Sequence, residues 1–409
     1  MNLFENKGND RMIDLDYTYM HQETIQKVKQ TFQSYGYEEI LTSAFGQYDL
    51  YAQMNGTVNH HEMIKTIDNT GQVLVLRPDV TIPLTERLAR RAKTIKSDLR
   101  YFYVHDVYRQ SETDVRDRET LQAGVEYFGN VSLEADAEVI ALAADIFKCN
   151  DINQFTIEIG HAGFFKQFVQ QLSLSDDQLT ELISYIRAKN VPDLERFTSR
   201  IQMSDAEKEI LVTLPFLYGQ KESVFEKAAK LPLSEQLNQT LSNLSEICHV
   251  LENYGIKEEI VIDLSLINHM DYYSGIIFQG FVKKVGKPIL MGGRYDRLSE
   301  KFNAHIPAIG FAVDIPTLLP IIEEVSQLKR PMITCLVLYE KSDEKQALQL
   351  TQTLRKHHIS TIALVQSKQT QPLPETSYTI TCEHGQAILN NQTYDNHEAI
   401  LQFIQSKER

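Results

Sequence analysis

The chain has no tryptophan and only four cysteines in 409 residues. Cys149, Cys248, Cys335 and Cys382 lie far apart, so neither a disulfide framework nor a paired metal-ligand spacing is suggested, and each reads as a buried thiol. His60-His61 and His357-His358 likewise lack partners at metal-binding spacing. No metal and no other cofactor is therefore expected. No run of about 18 uncharged apolar residues occurs, which argues against a membrane-spanning helix. The opening "MNLFENKGNDRMIDLDY" has no apolar segment behind a basic end, so the cytoplasm is the expected compartment. Positive charge is also scarce: 41 Lys and Arg against 55 Asp and Glu give a formal net charge of −14. That balance argues against a broad footprint on a nucleic-acid backbone.

What is present is enough apolar content and length for two or three domains. "HQETIQKVKQTFQSYGY" places Ile25, Val28, Phe32 and Tyr35 at helical spacing and ends at Gly36. "HEMIKTIDNTGQVLVLRPD" reads as two strands around a turn at Asp68 to Gly71, and "DLRYFYVHDVYRQ" and "LQAGVEYFG" as further strands. "LEADAEVIALAADIFKC" is a helix with its acids at the dipole-favoured end. The pattern favours an α+β fold, an antiparallel sheet with flanking helices. From 160 to 255 the pattern turns helical, which reads as an insertion. Strands return in "EIVIDLSLI", "SGIIFQGFV", "KPILMGGRYD" and "IPAIGFAVD", and "IPTLLPIIEEVSQL" closes the first domain near 329. Residues 330–409 read as a small α/β domain, a strand–helix–strand unit with a final helix, and "SKQTQPLPETS" as a loop within it.

Several polar residues stand where a site could form, each with an ordinary alternative. Arg77, Asp79 and Thr81 in "VLRPDVTIPL" sit where a strand gives way to a helix; they can point into a cleft, or Asp79 and Thr81 can simply cap the helix. Gln122 and Glu126 are four apart, so on a strand they share a face, either of a pocket or of a solvent-facing edge. Arg109, with Arg116 and Arg118, borders a polar loop that is either an anion site or a solvated hairpin tip. Tyr272, Tyr273 and Tyr295 would suit the walls of a pocket for a small planar ring, or a core. "GGRYD" allows either close backbone approach or an ordinary turn.

Taken in order, six segments resemble histidine–tRNA ligases. "YGYEEILTSAFGQYDLYAQ" is similar to the family's first motif, "LRPDVT" to LRPEGT, and "DVYRQSE" with "ETLQAGVEYFG" to its second motif. "NHMDYYSGIIFQGF" is similar to RGLDYYTGTVFE, "GGRYDRL" to GGRYDGL, and "IPAIGFAVDIPTLL" to PAVGFAIGLERL. The resemblance implies a class II aminoacyl-tRNA synthetase-like domain over 1–329 and an anticodon-binding-like domain over 330–409. It also implies a histidine pocket, with Asp79, Thr81 and Gln122 near the ammonium group and Glu126, Tyr273 and Tyr295 around the imidazole; Arg109 and Tyr272 complete the expected set.

The sequence departs from the ligases where charge is needed for catalysis. Asn268 and His269 replace the Arg-Gly of RGLDYY, Thr317 replaces the arginine of GLERL with Pro316 before it, and Ser111 follows Arg109 where an acid is usual, with Glu112 next. Ser43 stands where the first motif has proline. A histidine pocket without the ATP arginines resembles the ATP phosphoribosyltransferase regulatory subunits of histidine biosynthesis. That resemblance implies no catalytic residues, free histidine as effector, self-association to a dimer or more, and a short-form catalytic subunit as partner in a hetero-octamer. The rival readings are a divergent ligase and a free-standing histidine sensor.

Overall fold

The computed structural model describes residues 14–52, 54, 58–95, 97–110, 118–267, 272–326, 333–366, 373–374, 376–394 and 396–407. Asn268, His269, Ser111, Glu112, Arg116 and most of the "SKQTQPLPETS" loop lie outside them. The chain divides into two compact units, one of Met20–Gln327 and one that gathers Leu328–Arg409 with Met1–Tyr19.

The larger unit is built on nine strands in the order Glu38–Glu39, Leu99–Tyr108, Glu119–Phe128, Ala308–Asp314, Leu290–Arg294, Ile276–Val282, Phe155–His161, Ile260–Asp263 and Tyr218–Gly219. The sheet is mixed. Its central strands are antiparallel, whereas Glu38–Glu39 pairs parallel with Leu99–Tyr108, and Phe155–His161 pairs parallel with Ile260–Asp263. The second parallel pair follows from its connection, because the long helical stretch between those strands lets the chain re-enter in the same direction. Six helices occupy that stretch, from Ala162–Val169 to Glu235–Asn253. Three begin with a serine whose hydroxyl accepts a backbone N–H: Ser175, Ser204 and Ser234. Ser175 and Ser204 form full capping boxes with Gln178 and Glu207, the local signal that starts each helix. The stretch, read from its pattern as helical, also supplies an edge strand, Tyr218–Gly219, which pairs with Ile260–Asp263.

Paired residues project to the same face of a sheet. On one face Phe102, Val125, Phe311 and Phe278 turn toward the helices. Phe32 of the helix Leu15–Ser34 packs on Phe102 and Phe311, with ring centroids 5.5 and 6.1 Å apart. That helix stops where Gly36 takes φ +79°, a conformation costly for a side chain. On the other face register brings Gln122 opposite Asp314, Gly124 opposite Ala312 and Glu126 opposite Gly310.

The smaller unit has a five-stranded sheet in the order Thr361–Val365, Ile333–Tyr339, Thr376–Glu383, Gln386–Leu389, Gln392–Tyr394. The first three are parallel, and the last two are added by tight hairpins at His384-Gly385 and Asn390-Asn391, all at positive φ. The sequence reading found the strand, helix, strand and final helix here and missed the strand Thr376–Glu383, whose start falls in the segment read as a loop, and the two short hairpin strands after it.

One buried ion pair ties a helix to the sheet. The Arg294 guanidinium donates to Asp136 Oδ1 at 2.8 Å and to the Asn130 carbonyl at 2.9 Å, and both Arg294 and Asp136 are buried. Removing Asp136 leaves the buried guanidinium with Asp296, 3.1 Å away and partly exposed, as its remaining acid among the described residues, so Asp136→Asn is expected to cost about 3 kcal/mol of unfolding free energy. Arg90→Gln, which breaks the solvent-exposed Arg90–Glu86 pair, should cost well under about 1 kcal/mol. Urea unfolding of the two variants checks the contrast.

Candidate functional site

A hollow opens in the polar face of the nine-stranded sheet because its floor lacks bulk. Gly124, Gly310 and Ala312 lie side by side there. A Cβ on Gly310 would collide with Glu126 Oε2 and the Val125 carbonyl, and one on Gly124 would overlap the Tyr103 ring. The hollow has a volume of about 310 Å³, enough for a small molecule. All eight residues singled out from the sequence line it: Asp79, Thr81, Arg109, Gln122, Glu126, Tyr272, Tyr273 and Tyr295.

The elements explain why these side chains converge. Gln122 and Glu126 stand two turns of the pleat apart on one strand. Asp79 and Thr81 lie at the start of the helix Thr81–Ala89, and the two readings of Asp79 both hold: its carboxylate accepts the Ile82 N–H at 2.7 Å and also faces the hollow. Arg109 follows the strand Leu99–Tyr108 and is oriented by a bond from its Nε to the Pro78 carbonyl, 2.8 Å. Tyr272, Tyr273 and Tyr295 form an aromatic wall, Tyr272 lying 4.8 Å from Tyr273 and 5.7 Å from Tyr295 between ring centroids. The "GGRYD" glycines are strand residues that permit close approach, since a Cβ on Gly293 would come within 2.9 Å of the Tyr273 ring.

Arg77 belongs elsewhere. Its guanidinium is buried and donates to the carbonyls of Asp106, Thr42 and Ser43, so it braces the segment of the first motif and does not face the hollow. Sequence reasoning missed Tyr103, Lys287, Met291 and Asp314, which also line the hollow. Asp314 faces the hollow through the strand pairing that sets it opposite Gln122, which no local pattern marks, and Lys287 sits in a connecting turn, where no periodicity marks it.

Electrostatics distinguish the two acids. Glu126 is buried, accepts hydroxyl donations from Thr81 and Tyr295, and has its pKa raised to about 8, by burial first and by the charge of Asp79 in addition. Asp79 is also pushed above the ordinary carboxylate range by burial, offset by the Ile82 N–H and the Arg109 charge. A buried and a partly buried acid in one small space disfavour joint ionisation. The result is a neutral carboxylic acid beside phenols at one end, and acceptors with an arginine at the other. Such a pocket suits a small zwitterion carrying a polar ring.

Outside the hollow, Thr317 is buried at the start of the helix Ile315–Val325, and its backbone N–H donates to Asp314 Oδ1 at 2.9 Å. An acid and a helix cap thus occupy the place where the ligase pattern has a guanidinium. Among the described residues, no helix is long and apolar enough to cross a membrane.

Comparison with known proteins follows the same lines. The family model for histidyl-tRNA synthetase matches residues 16–318. A protein of Oceanobacillus iheyensis named ATP phosphoribosyltransferase regulatory subunit is 41% identical over 81% of this chain and 81% of its own. One of the same name from Ruminiclostridium cellulolyticum is 33% identical over 86% of this chain and 84% of its own. A crystal structure from Bacillus halodurans, described as an ATP phosphoribosyltransferase regulatory subunit/histidyl-tRNA synthetase, superposes with a TM-score of 0.77 at 27% identity, covering 87% of this chain and 90% of that one. The histidyl-tRNA synthetase of a Nostoc species has the same TM-score, 0.77, at 18% identity over 96% of both chains, a likeness of fold.

The raised pKa of Glu126 has a consequence for stability. Because the folded state holds this proton more tightly than the unfolded chain, the stabilising contribution is fully present below the ordinary value of 4.5 and is lost as pH rises through about 8. Between those limits the stability of the ligand-free protein relative to Glu126→Gln should fall with pH, by up to about 1.4 kcal/mol per unit. Urea unfolding of both proteins from pH 5 to 9 measures it, and a flat difference would mean that Glu126 is ionised throughout.

Proposed function

The chain belongs to the histidyl-tRNA synthetase family and, within it, to the ATP phosphoribosyltransferase regulatory subunits, and on that footing we propose that it is a non-catalytic, histidine-binding regulatory subunit of that transferase. It takes free histidine in the hollow lined by Asp79, Glu126 and the three tyrosines, activates a short-form catalytic subunit by assembling with it, and makes the complex sensitive to feedback inhibition by histidine.

The observation that carries this reading is the combination of a complete pocket with a disabled margin. Acceptors at Asp79, Thr81 and Gln122 match an ammonium group, Arg109 matches a carboxylate, and Glu126 with Tyr273 and Tyr295 matches imidazole nitrogens. Adenylate formation would additionally need positive charge where negative charge develops on phosphate, and one lost donor of that kind typically costs about 2.7 to 4 kcal/mol. Thr317 offers no charge, and Asp314 brings charge of the wrong sign. That favours a binding subunit over a divergent ligase.

Regulation then follows from linkage: histidine needs to favour the inactive arrangement of the complex by only about 1 to 3 kcal/mol. Self-association is part of the reading. The strands Phe45–Gln47, Val73–Leu76 and Lys65–Ile67 form a small sheet on which Ile67 and Val73, paired directly across, share one exposed face, while Phe45 is exposed on the other. Apolar side chains exposed in this way suit a face covered by a second copy. In the complex such dimers would frame several catalytic subunits, up to a hetero-octamer in the cytoplasm. The acidic balance offers no support for tRNA as a partner.

The test is reconstitution. Mixed with a short-form transferase, the chain should raise both mass by light scattering and transferase activity, and histidine should then lower that activity. A free-standing sensor would leave the transferase's mass unchanged. By calorimetry at neutral pH, where Glu126 holds its proton, Glu126→Gln should bind histidine roughly two- to tenfold more weakly, the loss of about 0.5 to 1.5 kcal/mol usual for a bond between neutral groups, while assembly is kept. The isolated chain should give no histidine-dependent ATP–pyrophosphate exchange; exchange at a ligase-like rate would overturn the assignment.

A further inference from the structure

Behind Tyr272 and Tyr273, on the side away from Glu126, lies a second cavity of about 520 Å³. Its walls come from the helix Ala162–Val169, the start of the helix Glu235–Asn253 and the turn after Tyr295. Among the described residues three cations face it, Lys166, Arg297 and Lys301, against one carboxylate, Glu300. This concentration of positive charge is against the trend of a chain with net charge −14. Among the described residues, neither Arg297 nor Lys301 pairs its side chain with an acid. Arg297 also replaces the third glycine of the ligase segment GGRYDGL, so the charge is not part of that shared pattern.

Polar groups fill the rest of the wall. Gln167 is fixed by the Thr240 hydroxyl, which donates to its Oε1 at 3.3 Å, and Gln236 faces it from the neighbouring helix. Lys166 connects the cavity to the aromatic wall, because its Nζ donates to the Tyr273 carbonyl at 3.1 Å. Arg297 and Lys301 converge in a concave space and repel one another unless an anion joins them, and a doubly charged oxyanion is the ligand whose charge matches that pair. The volume exceeds what an oxyanion alone needs, and amide side chains donate to and accept from hydroxyl groups.

We propose that this cavity is a second small-molecule site, for a phosphate monoester carrying a hydroxylated body, with Arg297 and Lys301 gripping the phosphate and the glutamines reading the body. An occupant also draws on Lys166, loosening its bond to Tyr273, so the site opposes binding in the hollow on the other side of the tyrosine pair. The opposing effect rests on that hollow taking histidine; the site itself does not.

The experiment separates the two. Calorimetry on the histidine-free chain, at ionic strength fixed with potassium chloride, uses ribose 5-phosphate and glucose 6-phosphate as probes and inorganic phosphate as the control. At least one sugar phosphate should bind saturably, one per chain, at least tenfold more tightly than inorganic phosphate and at least tenfold more weakly to the Arg297→Gln/Lys301→Gln double variant, whose thermal melt confirms folding. Absence of saturable binding, equal affinity in the double variant, or inorganic phosphate binding as tightly would overturn the site. Histidine titrated with the bound probe present should bind at least threefold more weakly, and Lys166→Gln should abolish that shift; an unchanged histidine affinity would overturn the coupling and leave the site standing on the first measurement. Absence of histidine binding altogether would instead remove the reading of the first hollow.

Discussion

A carboxylic acid pressed against the backbone of the next strand is the constraint on which the site depends. Glu126 is buried opposite Gly310, where no Cβ fits, and its two oxygens are taken up by hydroxyls from a helix start and from the turn after the strand Leu290–Arg294. Burying a carboxyl group is tolerable only if it stays neutral or well partnered. Here both conditions act: the raised pKa keeps the proton on at neutral pH, and Thr81 and Tyr295 supply donors. Three separate segments are thereby aligned to one point. The helix Thr81–Ala89 cannot shift without breaking one bond, nor the Tyr295 turn without breaking the other, and Arg294 next to Tyr295 is itself locked to Asp136. A pocket so braced is formed before any ligand arrives, which lowers the ordering cost of binding.

Much of this was legible in the sequence, and the reasons are local. A period of two placed Gln122 and Glu126 on one face, and helical spacing with a terminal glycine placed the helix Leu15–Ser34. Asp79 could be named because a strand-to-helix junction favours a carboxylate, whether as cap or as ligand, and the structure uses it for both. The convergence of these groups with three tyrosines about 150 residues away was not legible from spacing; it came from the ordered resemblance to ligases. What remained hidden depends on tertiary pairing. Asp314 faces the hollow because its strand docks beside the Gln122 strand, and Arg77 turns away from it because buried carbonyls of Thr42, Ser43 and Asp106 claim its guanidinium. The strand Thr376–Glu383 was missed because its threonine- and serine-rich start runs on from a polar, proline-containing loop, and the two strands after it because three or four residues at a polar edge carry little pattern.

The same scaffold distinguishes binding from chemistry by what surrounds the pocket. Recognition of a zwitterion with a polar ring needs only donors and acceptors matched to the ground state, and these are all in the hollow. Chemistry needs groups matched to charge that appears later, in the transition state. At the margin of this hollow the helix Ile315–Val325 begins with Asp314 capping Thr317, a locally satisfied arrangement with an acid and no cation. Restoring arginine at 317 would bury a guanidinium at a helix start, where the dipole disfavours it, beside an acid whose oxygen already serves the cap. The margin has therefore been rebuilt as ordinary helix geometry, and an isolated charge put back there would meet a structure no longer shaped to hold it.

A regulatory subunit gains from such a separation. An effector that is bound and not consumed reports its own concentration, so the pocket needs affinity tuned to the effector's supply and a wall that can transmit occupancy. Tyr272 and Tyr273 are placed for that second task. Their rings border the hollow, while the backbone carbonyl of Tyr273 is bonded to Lys166 on the helix that opens the long insertion. A change on one side of the wall is thus presented to a different element on the other. Packed aromatic rings resist continuous deformation, so such a wall passes on a shift by moving as a unit. If the hollow takes histidine as proposed, the helix Ala162–Val169 is the element in contact with the far side of this wall.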